Sequence, residues 1–200
     1  MKELKLLQIV PSLESGGVEQ GTIDVANYIV EKGFQSFVVS SGGRMLTQFN
    51  RSDVQHITLP VHSKNPLVIF QNIKRIKNII LKNKINLLHV RSRAPAWSAH
   101  YASKNLCSSI STFHNVYGHQ NLFKRFYNRG LSKLDNIVAN SNYVKNSISN
   151  IYKINKKKIT VIHRGIDTDL FNPEINDEIR YPSFFSKYNL PDNKKIILYP

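Results

Sequence analysis

The stretch Leu4-Lys5-Leu6-Leu7-Gln8-Ile9-Val10 is followed by the pair Gly16-Gly17 and then by a segment with apolar residues at helical spacing. The first stretch is short and almost continuously apolar, which is typical of a strand buried on both faces of a parallel sheet. From Val18 to Val30 the apolar side chains fall on one helical face, and Gly33 provides a stop signal. This order predicts a β-strand, a glycine-containing turn and an α-helix.

The same alternation continues along the chain. Long helical patterns, one of them marked by Phe70, Ile73, Ile76 and Ile80, separate the apolar runs. Further strands are predicted at residues 37–39, 54–59, 87–90, 111–113, 137–139 and 159–162. Alternating strands and helices, joined by right-handed crossovers, predict an α/β fold with a doubly wound, mostly parallel, Rossmann-like sheet.

The last part of the sequence changes character. We predict one domain over residues 1–173, a connection with a short helix over 174–193, and a new strand over 194–200. The helix is expected around Phe184, Phe185 and Tyr188. A terminal strand with no following crossover predicts a truncated chain, whose second domain would begin at residue 194.

The composition narrows the class of protein. No apolar run is long enough for a membrane span, the first ten residues are too charged for a secretory signal, and Cys107 is the only cysteine. These features predict a cytoplasmic protein without disulfides. The histidines show no metal-ligand spacing, so we expect neither a structural metal nor another cofactor.

A net charge of +15 is the unusual bulk property. It has three explanations: codon bias in an AT-rich genome with a solvated surface, a surface facing an anionic membrane, or nucleic-acid binding. Nucleic acid is not expected as a partner because no recognition motif is present. The candidate membrane-facing residues are the cations on the polar face of the long helix: Lys74, Arg75, Lys77 and Lys82.

Polar loops follow several of the predicted strands. Gly16-Gly17 suits a backbone approach to a phosphate at a helix start, although the pair is equally consistent with a flexible turn. The dinucleotide fingerprint G-x-G-x-x-G is absent, which argues against a nicotinamide dehydrogenase. After the fourth strand, Arg91 and Arg93 can clamp a phosphate or carboxylate, or can be surface residues beside Trp97.

His114 follows the fifth strand, where it can donate a hydrogen bond to a substrate hydroxyl or serve a structural role. His89 lies within a strand and is predicted to be a core residue. Asn140 and Ser141 follow the sixth strand as candidate ligand contacts, although capping of the next helix is the favoured interpretation for Ser141. Around Gly165, Arg164 and Asp167 are candidates for binding a hydroxyl or holding a turn; taken singly, the turn is favoured.

Four of these motifs, in this order, resemble the amino-terminal domain of the family 4 glycosyltransferases. They are Gly16-Gly17-Val18-Glu19, Thr112-Phe113-His114, Ala139-Asn140-Ser141 and Arg164-Gly165-Ile166-Asp167. Residues 91–97 and 124–128 further resemble bacterial members linked to lipopolysaccharide or capsule assembly.

The resemblance implies a retaining GT-B enzyme that transfers a sugar, as hexosyltransferases do, from a nucleotide-sugar donor to a lipid-linked or polysaccharide acceptor. Gly16 and Gly17 would line the donor phosphate region, and His114 would contact the transferred sugar. Arg93 would lie near donor or acceptor, with Arg164 and Asp167 as weaker assignments. The enzyme would work in the cytoplasm, peripherally at the inner face of the membrane.

The family's second domain supplies the Arg/Lys pair for the diphosphate and a pair of glutamates, which this sequence does not contain. The chain alone is therefore expected to be inactive unless a separate carboxyl-terminal half joins it. The alternative is a non-catalytic remnant that binds an acceptor or a membrane.

Overall fold

The structure, a computed structural model, describes residues 3–49, 53–169, 171–172 and 186–190. The chain divides into two compact units, Met1–His163 and Arg164–Pro200. In the second unit residues 186–188 are helical. The predicted domain boundaries stay predictions, and Phe184, Phe185 and the predicted strand at 194–200 lie outside the described residues.

Among the described residues of the first unit, seven strands form one sheet. They are β1 Lys5–Ile9, β2 Gln35–Ser40, β3 Val54–Thr58, β4 Leu87–Val90, β5 Ser108–Phe113, β6 Asn136–Ala139 and β7 Ile159–Val161. Each coincides with a predicted strand. Their order across the sheet is β3-β2-β1-β4-β5-β6-β7, and every neighbouring pair is parallel. The predicted doubly wound, Rossmann-like α/β fold is confirmed.

Helices and 3-10 turns connect the strands. The helices are α1 Gly17–Glu31, α2 Pro66–Asn83, α3 Ala96–Ser103, α4 Leu122–Asn128 and α5 Asn142–Tyr152. The 3-10 turns are Arg44–Gln48, Arg129–Lys133 and Lys156–Lys158.

Helix α2 begins earlier than its apolar pattern suggests. The side chain of Asn65 accepts a hydrogen bond from the Leu67 N–H at 2.9 Å, and Pro66 occupies the first turn. An amide cap satisfies a donor that has no partner within the helix, and proline is preorganised for the first turn. The start of α2 is therefore set by local capping chemistry, and its apolar face begins only in the following turn.

The sheet separates two apolar layers. On one side α1 packs through Ile23 and Ala26 against a cluster that includes Val38. On the other side α2, α3 and α5 contribute to a larger cluster, with α2 supplying Ile76 and Ile80. Strand order reverses at β1, because the chain moves outward to β3 and then returns to β4. With right-handed crossovers, this reversal places α1 on one face and the later helices on the other.

Candidate active site

The polar loops predicted to form the site leave the same edge of the sheet. Strand β1 lies between β2 and β4, and β4 is followed by β5 and β6. Because all of these strands are parallel, the loops after them emerge at their shared carboxyl edge. The structure therefore brings the loops of Gly16, Arg93, His114 and Asn140 to one rim, which is the usual position for a ligand site in this architecture.

Gly16 directly precedes α1 and has φ +122°, a conformation that favours glycine. In the part of the chain that the structure describes, no side chain makes a capping hydrogen bond to this helix. The first N–H groups of a helix have no partner within it, so those of α1 are available to an anion. An added Cβ at Gly16 would lie 2.9 Å from Oε2 of Glu19, which is at the end of a flexible side chain, so the positive φ is what favours glycine here.

The β1 loop is joined to the β2 loop by hydrogen bonds. The Leu13 N–H donates to the Gly42 carbonyl at 2.8 Å, and the Met45 N–H donates to the Leu13 carbonyl at 2.8 Å. Arg44 Nε donates to the Glu14 carbonyl at 2.7 Å. Together these bonds hold the segment that precedes Gly16, so the position of the glycine turn depends on the β2 loop.

An open cavity of about 580 Å³ lies at this junction. Its lining combines the glycine turn with the β2 loop: Glu14, Ser15, Gly16, Gly17, Gln20, Arg44, Met45 and Gln48. Arg93, His114 and Asn140 are not among the described residues that line it. The structure thus brings the predicted residues to one edge of the sheet, but the cavity itself is built from the first two loops.

His114 and Asn140 are connected through the backbone. Asn140 Nδ2 donates to the His114 carbonyl at 2.8 Å, which ties the loop after β5 to the loop after β6. Asn140 Oδ1 is buried and receives no hydrogen bond from the described residues. Asn140 therefore positions the backbone of His114 and keeps one acceptor unused. Contact of either side chain with a ligand stays a prediction.

Ser141 has the capping role that the sequence favours. Its Oγ accepts a hydrogen bond from the Val144 N–H at 3.2 Å at the start of α5. This bond satisfies one of the free donors of the first helical turn. Its predicted contact with a ligand stays a prediction.

Arg93 is held by two neighbours. Its Nη1 donates to Asn128 Oδ1 at 3.2 Å, and its guanidinium lies 4.3 Å from the centre of the Tyr117 ring. Asn128 is buried, and its Nδ2 donates to the Gly118 carbonyl at 2.9 Å. Asn128 therefore links Arg93 to the loop that follows His114. Sequence reasoning did not single out this asparagine, because its polar partners are distant along the chain.

Replacing Asn128 with alanine is expected to lower the free energy of unfolding by about 2 kcal/mol, because a buried side chain with two hydrogen bonds is removed. The measurement is urea denaturation followed by circular dichroism. Asn121→Ala is the matched control, since Asn121 is exposed and only caps the Phe123 N–H. Equal losses of stability in the two variants would contradict the role assigned to Asn128.

Arg91, unlike Arg93, is hydrogen-bonded to a residue of β1. It is buried, and its Nη1 donates to Gln8 Oε1 at 3.2 Å, while Gln8 Nε2 donates to the Thr22 carbonyl at 2.9 Å. Arg91 is therefore tied through β1 to α1. Of the two predicted arginines, only Arg93 is partly exposed at the rim.

His89 lies within β4, as its position in an apolar run predicts, and packs close to the site. Its Nε2 is 2.7 Å from Thr112 Oγ1, and the two atoms share a hydrogen bond. Burial lowers the pKa of His89 to about 3, and electrostatic interactions with Arg91 and then His114 act in the same direction. His89 is consequently neutral at physiological pH; its side chain is partly buried and is not part of either apolar cluster, so the expected core position is only approached.

Arg164 and Asp167 belong to the second unit and are exposed there. Asp167 Oδ1 accepts from the Asp169 N–H at 3.0 Å, and the Asp167 carbonyl accepts from the Phe171 N–H at 3.0 Å. Asp167 therefore holds a local turn, as favoured from the sequence. Binding of a ligand by Arg164 or Asp167 stays a prediction.

The four cations predicted to face a membrane are all exposed on α2: Lys74, Arg75, Lys77 and Lys82. Among the described residues, no helix has the length and apolar character needed to cross a bilayer. Within the same part of the chain, no group of three or more His, Cys, Asp or Glu side chains is arranged to bind a metal ion. The expectation that no metal or cofactor takes part stays a prediction.

Residues 15–170 match the sequence profile of Glycosyltransferase Family 4. The chain belongs to this family. No curated protein sequence is significantly similar to it.

Solved structures place the fold in the same group. A glycosyltransferase from Rickettsia africae ESF-5 is 41% identical, with a TM-score of 0.82, over 96% of this chain and 51% of that chain. Alr3699/HepE from Anabaena, in complex with UDP and glucose, is 16% identical, with a TM-score of 0.68, over 94% of this chain and 50% of that chain. The protein therefore spans about half the length of these relatives.

The same fold also occurs in proteins with another activity. UDP-N-acetylglucosamine 2-epimerase from Rickettsia bellii is 12% identical, with a TM-score of 0.64, over 94% of this chain and 52% of that chain. At such low identity the similarity shows the fold alone. Fold therefore does not decide the reaction, which has to be argued from the residues of the site.

Proposed function

We propose that this chain is the acceptor-side half of a retaining glycosyltransferase that moves a sugar, as hexosyltransferases do, from a nucleotide-sugar donor to a lipid-linked or polysaccharide acceptor. The observation that carries the proposal is the convergence of the Gly16-Gly17 turn, Arg93, His114 and Asn140 at one edge of the sheet in a member of this family. The UDP and glucose bound to Alr3699/HepE support a nucleotide sugar as the donor.

The residues suit different parts of such a donor. The uncapped start of α1 behind Gly16 offers N–H groups to the donor phosphates, and Arg93 offers a fork of donors to an anionic group of donor or acceptor. His114 is partly exposed and would donate a hydrogen bond to a hydroxyl of the transferred sugar. Asn140 would keep the His114 backbone in place through its amide.

The main electrostatic task of this reaction is to stabilise the diphosphate as it leaves. Groups that neutralise the charge that develops in the transition state contribute most to such catalysis. In this proposal a second domain supplies them, and neither a metal nor another cofactor takes part. We accordingly expect no transfer by the 200-residue chain alone.

We place the acceptor at the cytoplasmic face of a membrane. The exposed cations of α2 would be attracted to anionic lipid headgroups, each by about 1 kcal/mol. A lipid-linked acceptor of lipopolysaccharide or capsule assembly would be reached from that position. The nucleic-acid alternative gains no support, because the sequence contains no nucleic-acid recognition motif.

The proposed function is tested by a donor-hydrolysis and transfer assay on the chain alone, mixed with a separately produced second domain, and as one two-domain polypeptide. We expect turnover only when both domains are present. In the active form, His114→Ala is expected to lower kcat/KM about 100-fold, because a hydrogen bond to the transferred sugar is lost.

His62→Ala is the matched control for this variant, since His62 is an exposed histidine before α2, and its activity should equal that of the wild type. If no form of the protein shows turnover with UDP-glucose or other nucleotide sugars, the result would favour the non-catalytic remnant that binds an acceptor or a membrane. Full activity of H114A would reject the role given to the imidazole.

A further inference from the structure

Helix α4, Leu122–Asn128, exposes its largest apolar side chains to solvent. The exposed fractions are 79% for Leu122, 85% for Phe123 and 66% for Phe126, whereas Asn128 is the buried residue of the helix. Contiguous exposed apolar side chains of this size usually mark an interaction surface. A short helix that faces the core would bury them instead.

Polar contacts hold α4 in this orientation. Asn128 bonds to Gly118, the Tyr127 carbonyl accepts from Trp97 Nε1 at 3.1 Å, and Arg125 Nη2 donates to the Ile151 carbonyl at 2.7 Å. The helix is thus attached to the fold through its polar groups and its carboxyl-terminal end. Its apolar side chains remain directed outward without being needed for the core.

Aromatic rings extend the surface from α4 onto α3. The ring of Phe126 stacks on Trp97 with centroids 5.0 Å apart, and Trp97 stacks on Tyr101 with centroids 6.1 Å apart. Tyr101 is 54% exposed. Tryptophan and tyrosine are enriched at membrane–water interfaces, where an apolar ring and a polar tip are both satisfied. We call Leu122, Phe123, Phe126, Trp97 and Tyr101 the aromatic surface.

The part of the sequence that forms this surface carries positive charge only. Between Asp53 and Asp135 the sequence contains no Asp or Glu, and it contains 13 Lys and Arg residues. Residues 1–53, which include α1 on the opposite face of the sheet, contain six acidic and five basic residues. Codon bias would spread lysine over the whole chain and cannot produce this asymmetry. The layer of α2, α3 and α4 is basic, whereas the α1 side is nearly neutral.

Exposed apolar rings beside cations, with no acidic residue among them, are complementary to an anionic bilayer. The rings can enter the headgroup region, and Lys124 and Arg129, both exposed, can approach the lipid phosphates. Nucleic acid would match the charge, but it offers no apolar phase for Leu122 and Phe123. A bilayer matches both features.

We propose that the aromatic surface inserts into the interface of an anionic membrane, with Lys124 and Arg129 contacting headgroups and the basic face of α2 adding long-range attraction. This inference rests on the proposed membrane-linked acceptor, and it identifies which element enters the lipid. Asn128, at the end of α4, also holds Arg93 and the loop after His114. Insertion therefore places the rim of the site next to the bilayer surface.

The chain contains one tryptophan, and it belongs to the aromatic surface, so it reports on insertion without a label. The experiment uses vesicles of phosphatidylcholine alone and of phosphatidylcholine mixed equally with phosphatidylglycerol, with and without brominated acyl chains. We expect co-sedimentation with the anionic vesicles only, together with quenching of Trp97 by the brominated lipid. Binding without quenching would show that another surface faces the membrane and would overturn the proposal.

Variants separate apolar insertion from charge. Phe123→Ser with Phe126→Ser is expected to weaken partitioning at least tenfold, and Lys124→Gln about fivefold. Neutralising Lys74, Arg75, Lys77 and Lys82 of α2 should weaken binding while quenching persists in the bound fraction. Tyr28→Ser is the matched control, because Tyr28 is 56% exposed on α1, on the opposite face, and its binding should be unchanged.

The remaining outcomes are equally informative. Unchanged lipid binding by the double phenylalanine variant would overturn the proposal. A wild-type dimer that the double variant converts to a monomer, with lipid binding unchanged, would assign the surface to a second copy of the chain. Binding of nucleic acid in preference to vesicles would also reject it. Because no step measures transfer, lipid binding by a protein that shows no turnover even with the second domain present would leave this inference intact and contradict the proposed function instead.

Discussion

Replacing Gly43 with alanine is expected to lower the free energy of unfolding by about 4 kcal/mol. Gly43 has φ +144°, and an added Cβ would overlap both the carbonyl carbon and the carbonyl oxygen of Leu13. A side chain there combines backbone strain of about 1–3 kcal/mol with a collision of about 1–3 kcal/mol that only movement of backbone relieves. The variant should also loosen the Gly16 turn, because Leu13 connects the two loops.

Gly42→Ala is the matched control for the neighbouring position. Gly42 has φ +96°, but no atom of the described residues lies within 4 Å of its added Cβ, so only the backbone strain applies. We expect a loss of about 2 kcal/mol at most for this variant. Urea denaturation measures both. Equal stability of G42A and G43A would show that the approach of the two loops is not as close as the structure indicates.

Lowering the pH from 6.5 to 5 is expected to destabilise the protein by about 2 kcal/mol through His89 alone. Burial holds the pKa of His89 at about 3 in the folded chain, against the usual 6.5. The unfolded chain therefore takes up a proton in this window while the folded chain does not. The stability contribution is complete above pH 6.5 and is lost progressively as the pH falls towards 3.

The measurement compares urea denaturation at pH 7 and pH 5 for the wild type and for His89→Gln. The difference between the two pH values should shrink by about 2 kcal/mol in H89Q, because the glutamine does not titrate. His119→Gln controls for removal of a histidine at an exposed position and should keep the wild-type difference. An undiminished pH dependence in H89Q would mean that His89 is protonated in the folded protein.

Much of the fold could be predicted because the local spacing of apolar residues indicates each strand and helix. All seven strands of the described sheet overlap the segments predicted as strands, and α1 follows the apolar spacing between Val18 and Val30. The location of His89 within a strand and the cap at Ser141 could also be predicted, since each depends on a residue's place within or after a strand. Parallel topology then followed from strands apolar on both faces.

From the sequence, the site could be predicted only as lying at the carboxyl edge of the sheet, without the contacts between its loops. The contacts of Asn128 with Arg93 and of Asn140 with His114 join residues that lie far apart in sequence. Gly43 and Arg44 were not predicted as site residues, although the pair Gly42-Gly43 follows a predicted strand just as Gly16-Gly17 does. The exposure of Phe123 and Phe126 was also hidden, because an apolar residue in a helical pattern is most often a core residue.

By itself, the sequence determined the order of strands and helices, the family, and the basic charge, because these depend on residue identity and short-range spacing. Only the tertiary structure decided which loops contact each other, which arginine stays partly exposed at the rim, and which aromatic rings face outward. Those outcomes depend on how distant segments pack on the two faces of the sheet. Excluded volume and hydrogen-bond geometry between segments decide that packing, and no local pattern encodes them.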